Sequence, residues 1–98
     1  MYARLSRFAG LDAERVLETV QQFRDEGIPQ LKQHAGFRGV TVGVNHRSGQ
    51  AVAFSFWESE ADMTNSEKAA AQARAQAVVT GKPSREPIVD HYEIVIQE

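Results

Sequence analysis

The sequence predicts an α+β domain with the element order βαββαβ, a four-stranded antiparallel sheet carrying two helices on one face. Three observations predict it. Four runs have strand composition, two longer stretches repeat apolar residues at helical spacing, and Gly- or Pro-containing joints separate them. With 98 residues the chain makes one domain, 1–98, with room for a single core.

The first strand spans Tyr2 to Phe8 and ends at Gly10. Asp12 then offers a side-chain cap for a helix, and Leu11 can staple onto Val16 one turn later. Val16, Val20 and Phe23, with Leu17 beside them, form its apolar stripe. Gly27-Ile28-Pro29 should break or kink this helix, because proline removes an amide donor and crowds the preceding turn. A short segment carrying Leu31 continues to about His34, and Ala35-Gly36 ends it.

Phe37 to Asn45 and Gln50 to Trp57 are strands joined by the turn His46-Arg47-Ser48-Gly49. Ser59-Glu60-Ala61-Asp62 is a capping box that opens the second long helix, which runs to about Val79 and stops at Thr80-Gly81. Gly81 to Pro87 holds two prolines and cannot be helical. The last strand runs from Ile88 to Ile96. Right-handed crossovers place both helices on one face and give the strand order 4-1-3-2, the ferredoxin-like arrangement.

The strands predict more than the fold. A sheet with one wet face alternates polar and apolar residues. Here Gly39 to Val44 and Ala51 to Trp57 contain no charge, and Ile94-Val95-Ile96 is apolar throughout. With a four-residue turn, Gly39, Thr41 and Gly43 lie opposite Phe56, Phe54 and Val52. Val40, Val42, Val44, Ala51, Ala53, Ser55 and Trp57 then share the other face. An odd-length turn would re-sort both sets. Either way two apolar faces remain and the helices cover one. A homodimer through the sheet face is the simplest cover for the other.

Composition excludes several classes. A formal net charge of −2 offers no field for nucleic acid. Ala53-Phe54-Ser55-Phe56 faintly echoes an RNA-recognition strand, but the flanking basic residues of that module are missing. No cysteine is present, so thiol catalysis and thiolate metal sites are excluded. His34, His46 and His91 lie in three separate elements without ligand spacing, so no metal is expected. Neither a signal-peptide run nor a membrane span is visible, which makes the cytoplasm the expected compartment.

Gly36-Phe37-Arg38-Gly39 entering the second strand, Trp57-Glu58-Ser59-Glu60-Ala61 after the third, and His91-Tyr92-Glu93-Ile94-Val95 in the last carry a resemblance. On these stretches and on layout, the chain resembles the antibiotic biosynthesis monooxygenase superfamily. That resemblance implies a dimeric α+β barrel, paired sheet to sheet. It also implies several activities, among them cofactor-free oxidation of polycyclic aromatic or quinol substrates and haem degradation. The haem-degrading branch uses an Asn on the first strand with a Trp and a His on the second helix. Here the first strand has no Asn, Trp57 lies outside the helix, and no His occurs between His46 and His91. No cofactor is therefore expected.

Candidate site residues follow. Trp57 can stack on a planar substrate and offer its indole N–H, or it can simply plug the core or the dimer seam. His91 can act as a base towards a phenol or quinol, or be an ordinary strand residue. Arg4 and Ser6 share one face of the first strand and can supply a cation and a hydroxyl to a substrate, although Arg4 can equally pair with Glu93. Tyr92 points to the opposite face from His91 and is the remaining binding candidate. The second helix carries alanines at 69, 70, 71, 73, 75 and 77. They either leave room for a small aromatic ligand or let the helix sit close to the sheet. The Gly81–Pro87 loop either closes over such a pocket or merely connects. Two functions emerge: a cofactor-free monooxygenase, or a non-catalytic homodimer that binds a small molecule or a partner.

Overall fold

A computed structural model describes residues 1–98. Strands β1 (Tyr2–Phe8), β2 (Phe37–Asn45), β3 (Gln50–Trp57) and β4 (Ile88–Glu93) form one antiparallel sheet in the order β2-β3-β1-β4. The order is the expected one. The β2–β3 turn has four residues, with Asn45 facing Gln50 across it. Asn45 Oδ1 accepts from the backbone N–H groups of Arg47 and Ser48 at 3.0 and 3.2 Å, and Gly49 closes the turn at φ +72°. Gly39, Thr41 and Gly43 therefore face Phe56, Phe54 and Val52. At the start of β2 a bulge at Arg38 lets Phe37 reach Trp57, edge to face at 5.6 Å.

The first helical region keeps its course instead of breaking. Asp12 Oδ1 accepts from the Glu14 amide at 3.0 Å, but this closes a turn ahead of the helix: α1 (Val16–Gln22) begins after Arg15 and has no side-chain cap. A single π-helical turn, Phe23–Gly27, follows and passes straight into α2 (Ile28–Lys32). The Ile28 amide donates back to the Phe23 carbonyl, five residues away. The wider turn is how the chain absorbs Pro29, which has no amide to give and would crowd a tighter turn. Gly27 is needed there for space: a Cβ would lie 2.5 Å from the Phe23 ring. Leu17, placed beside the stripe from sequence, is 74% exposed; Thr19 is buried instead.

The second helical region is interrupted, giving α3 (Glu60–Asn65) and α4 (Glu67–Gly81). Ser59 Oγ accepts from the Asp62 amide at 3.1 Å, as the capping box requires. The break at Ser66 has a tertiary cause. Arg4 Nη2 and Ser66 Oγ both donate to the Met63 carbonyl, at 2.6 and 2.7 Å, so that carbonyl is diverted from the helix ladder. At the far end Gly81 is held close to Leu11 and Thr19, and Lys82 takes the left-handed conformation that ends the helix.

β4 stops at Glu93, three residues before the expected Ile96. Its neighbour β1 begins at Tyr2, and the Ile94 amide uses the last carbonyl available, that of Met1, at 2.8 Å. Val95 and Ile96 thus extend beyond the sheet and are 81% and 76% exposed. Gly81, expected outside the helix, is its last residue, and residues 82–87 are a connector: the Ser84 amide and hydroxyl both donate to the Ala9 carbonyl. No helix is long and apolar enough to cross a membrane.

Strand alternation sorts the side chains. Tyr2, Arg4, Ser6 and Phe8 face the helices together with Ala51, Ala53, Ser55 and Trp57. The core they build comes in two parts. Phe8, Leu11, Val16, Ala51 and Ala77 form one cluster; Leu31, Trp57, Met63 and Ala70 form the other.

Candidate functional site

Between the two core clusters lies a cavity of about 70 Å³, partly open to solvent. Its origin is side-chain size. On the sheet, Ser6, Ala53 and Ser55 occupy the inward positions between the large Phe8 and Trp57. On α4, Ala70, Ala73 and Ala77 recur on the facing side at helical spacing. Small residues on both walls leave a gap that neither can close. Phe23 from the π turn and Leu31 from α2 supply the remaining apolar wall. The volume is about half of the ~150 Å³ in which an apolar cavity holds benzene. A ring ligand must therefore widen it or enter from the open side.

One wall is charged. Arg4 is 2% exposed and lines the cavity. Its Nη2 donates to the Met63 carbonyl and, at 2.9 Å, to Ser66 Oγ, while its Nε lies 3.2 Å from Glu67 Oε2. Its guanidinium sits 5.9 Å from the centre of the Trp57 ring, within cation–π range. Glu67 also pairs with Arg74, a second lining residue. Burial is the main cause that lowers the Arg4 pKa from its ordinary value; Glu67 opposes the shift and Arg74 adds to it. Two guanidinium groups thus share one carboxylate at the edge of an apolar space. The ion pair with Glu93 weighed from sequence does not form, because Arg4 lies opposite His91 and turns under α4.

The predicted site residues separate into three groups. Arg4 and Ser6 both line the cavity. Trp57 is fully buried in the core cluster beside it, with its indole N–H already donating to Ser55 Oγ at 2.9 Å. That N–H reaches a ligand only if Ser55 lets go. His91 and Tyr92 are exposed on the edge strand β4 and line no part of the cavity. The physical reason is position: the cavity lies over β1 and β3, and β4 extends past the helices' cover. Near the start of β1, Glu93 raises the Tyr2 phenol pKa, with burial and Glu60 adding to it.

Thr19, Ser55, Glu67 and Arg74 were not singled out from sequence. Glu67, Ala70, Arg74 and Ala77 recur at intervals of three and four, so one helix face carries both the small residues and the charges. An inward Arg4 on a central strand needs a carboxylate, and Glu67 on that face is the match.

By sequence, no family model and no curated relative matches the chain. Solved structures do share its fold. The monooxygenase from the gene ActVA-Orf6 of Streptomyces coelicolor, in complex with the ligand nanaomycin D, aligns with a TM-score of 0.75 at 13% identity. The alignment covers 99% of this chain and 92% of that one. A mutant of SnoaB, a cofactor-independent oxygenase from Streptomyces nogalater, aligns at 0.70 and 15%, covering 98% and 94%. An antibiotic biosynthesis monooxygenase aligns at 0.71 and 11%, covering 98% and 100%. The fold of the antibiotic biosynthesis monooxygenases is the fold of this chain.

Proposed function

We propose that the chain is a cofactor-free monooxygenase of the antibiotic biosynthesis type, acting on a small aromatic or quinol-type substrate held between helices and sheet. The observation that carries this reading is the apolar cavity with a buried, incompletely paired arginine in its wall. In such chemistry the deprotonated substrate passes an electron to oxygen, and the two radicals combine. For an activated methylene the balance is CH2 + O2 → C=O + H2O. The protein's share is to exclude water, orient the ring and stabilise the substrate anion. Arg4 and Ser6 serve as binding groups, and Trp57 backs the arginine. Sharing a fold with a cofactor-independent oxygenase supports the reading.

The working unit is a homodimer joined through the open sheet face. That face carries Leu5, Val52, Phe54 and Phe56, the two phenylalanines stacked 6.1 Å apart, and no helix covers it. Size-exclusion chromatography with light scattering should give the mass of a dimer; a monomer at micromolar concentration would refute this part.

Oxygen uptake with a panel of hydroquinones, naphthols and anthrones tests the activity. Turnover of at least one class is expected, and none across the panel refutes the proposal. One observation favours a second reading, a non-catalytic homodimer that binds a small ligand: no His, Asp, Glu or Tyr lines the cavity. Saturable binding without oxygen uptake would select it.

A further inference from the structure

The cavity, at about 70 Å³, is too small for a ring as it stands, and one wall residue also faces a second space. Thr19, Phe23, Ala73 and Ala77 line both the cavity and a shallow, partly open recess between α1, the π turn and α4. Phe23 is the only large side chain of the four, so its ring is the partition between the two spaces. The ring is half-buried and packs at the edge of the cluster of Leu31, Trp57, Met63 and Ala70, so moving it leaves that core in place. On the recess side it lies against Gly27, and Thr19, Ala73 and Ala77 are too small to clamp it. The backbone beneath it is irregular as well. The Phe23 amide is shared between the Thr19 and Val20 carbonyls, and its carbonyl serves Ile28 across the π turn.

We propose that Phe23 is the gate of the cavity and the residue that sets the size of the ring it admits. Its phenyl group is itself the size of benzene. Swung outward past Gly27 into the recess, it vacates the space of one ring, which the closed cavity lacks. This rests on the cavity being the ligand site and adds the route by which a ligand reaches it. Exposing a half-buried phenylalanine forfeits roughly half of its burial free energy, so the gate slows entry and exit alike by about three- to tenfold. Gly27 leaves the ring room to move. It lines the recess but not the cavity, and a Cβ on it would lie 2.5 and 2.9 Å from ring atoms Cδ1 and Cε1. Its φ of −74° is ordinary for a helix, so alanine there presses the ring towards the cavity without straining the backbone. Removing the ring and crowding it should therefore act with opposite signs.

The test is stopped-flow binding of nitrobenzene and of the two-ring 1-nitronaphthalene to the intact protein, read by quenching of Trp57, the only tryptophan. Phe23→Ala should speed both association and dissociation of nitrobenzene by about three- to tenfold, as expected of a barrier removed. It should also raise the affinity for 1-nitronaphthalene relative to nitrobenzene. Gly27→Ala should slow association, and should have no effect once Phe23→Ala has removed the ring it presses on. A general loosening of the core would instead move both single variants the same way. Circular dichroism confirms folding, and Phe23→Leu, with an intermediate rate expected, replaces Phe23→Ala should that variant not fold. An association rate unchanged by loss of the ring, or raised by Gly27→Ala, would overturn the gate while leaving the cavity as the ligand site. Quenching seen only after Phe23→Ala would make Phe23 a fixed wall and also overturn the gate. Saturable quenching by neither probe, in wild type and in the Phe23 variant, would overturn both the inference and the reading on which it rests.

Discussion

Filling the cavity from the sheet side should stabilise the protein and abolish ligand binding together. Ala53 is the position of choice, since it sits at the middle of β3 between Ser6 and Val42, and all three line the gap. Strand alternation aims its side chain at α4. Ala53→Leu adds three carbon groups, worth at most about 2.4 kcal/mol at roughly 0.8 kcal/mol each if fully buried. Cavity volume bounds the gain independently: 70 Å³ at about 24 cal/mol per Å³ is about 1.7 kcal/mol. Part of the gap opens to solvent, so a gain of about 1 kcal/mol is expected. For a domain of this size that raises Tm by about 4–8 °C. Urea denaturation gives the free energy, and Trp57 quenching by nitrobenzene reads occupancy. A loss of more than about 1 kcal/mol, the signature of overpacking, would show that the space is not there. Unchanged binding in a stabilised variant would show that ligands sit elsewhere.

Glu67→Gln should destabilise by about 2–3 kcal/mol by urea denaturation, below the usual range for a broken buried pair because Glu67 is 37% exposed. Adding Arg4→Met should recover part of that loss, and a double variant less stable than Glu67→Gln alone would refute the charge account. Gly36→Ala should cost about 1–3 kcal/mol, because Gly36 has φ +81° and a Cβ would lie 2.1 Å from Asp62 Oδ2; a neutral effect refutes this. His91→Ala should leave oxygen uptake within about twofold of wild type, well short of the ~10²–10⁴-fold loss expected of a general base; such a loss would place His91 in the chemistry. Tyr2 should ionise above pH 10.0, its ordinary value, because Glu93 favours the neutral phenol. Its folded pKa is the raised one, so its contribution to stability is complete below pH 10 and is lost as pH climbs through the folded value. An absorbance titration of wild type against Tyr2→Phe isolates this group; ionisation at or below 10 refutes the shift.

Local signals carried most of the architecture. The bounds of β1, β2 and β3, the turn of four residues and the Ser59 cap follow from residues within a few positions of one another. What escaped depends on contacts distant in sequence. The interruption at Ser66 is caused by Arg4, 62 residues earlier, and nothing in Ser66-Glu67-Lys68 announces it. The early end of β4 is set by where β1 begins, so Ile94-Val95-Ile96 has strand composition without a strand to pair with. Pro29 announced a disturbance, but continuation through a π turn depends on Gly27 making room for Phe23. The site was half legible. The alanines of the second helix and the inward Arg4 and Ser6 pointed to it. Trp57 drew attention by size and His91 by chemistry, and the structure places the first beside the cavity and the second away from it. Arg74 joins the site through Glu67, which it shares with Arg4, a residue of a distant strand.

A crystal structure grown with the most tightly bound phenol of the panel tests the central claim most directly. The ring should lie between β3 and α4, beside Ala53 and Ala73 and against the wall that carries Arg4 and Ser6. A ring seated on the open face against Phe54 and Phe56 would contradict it.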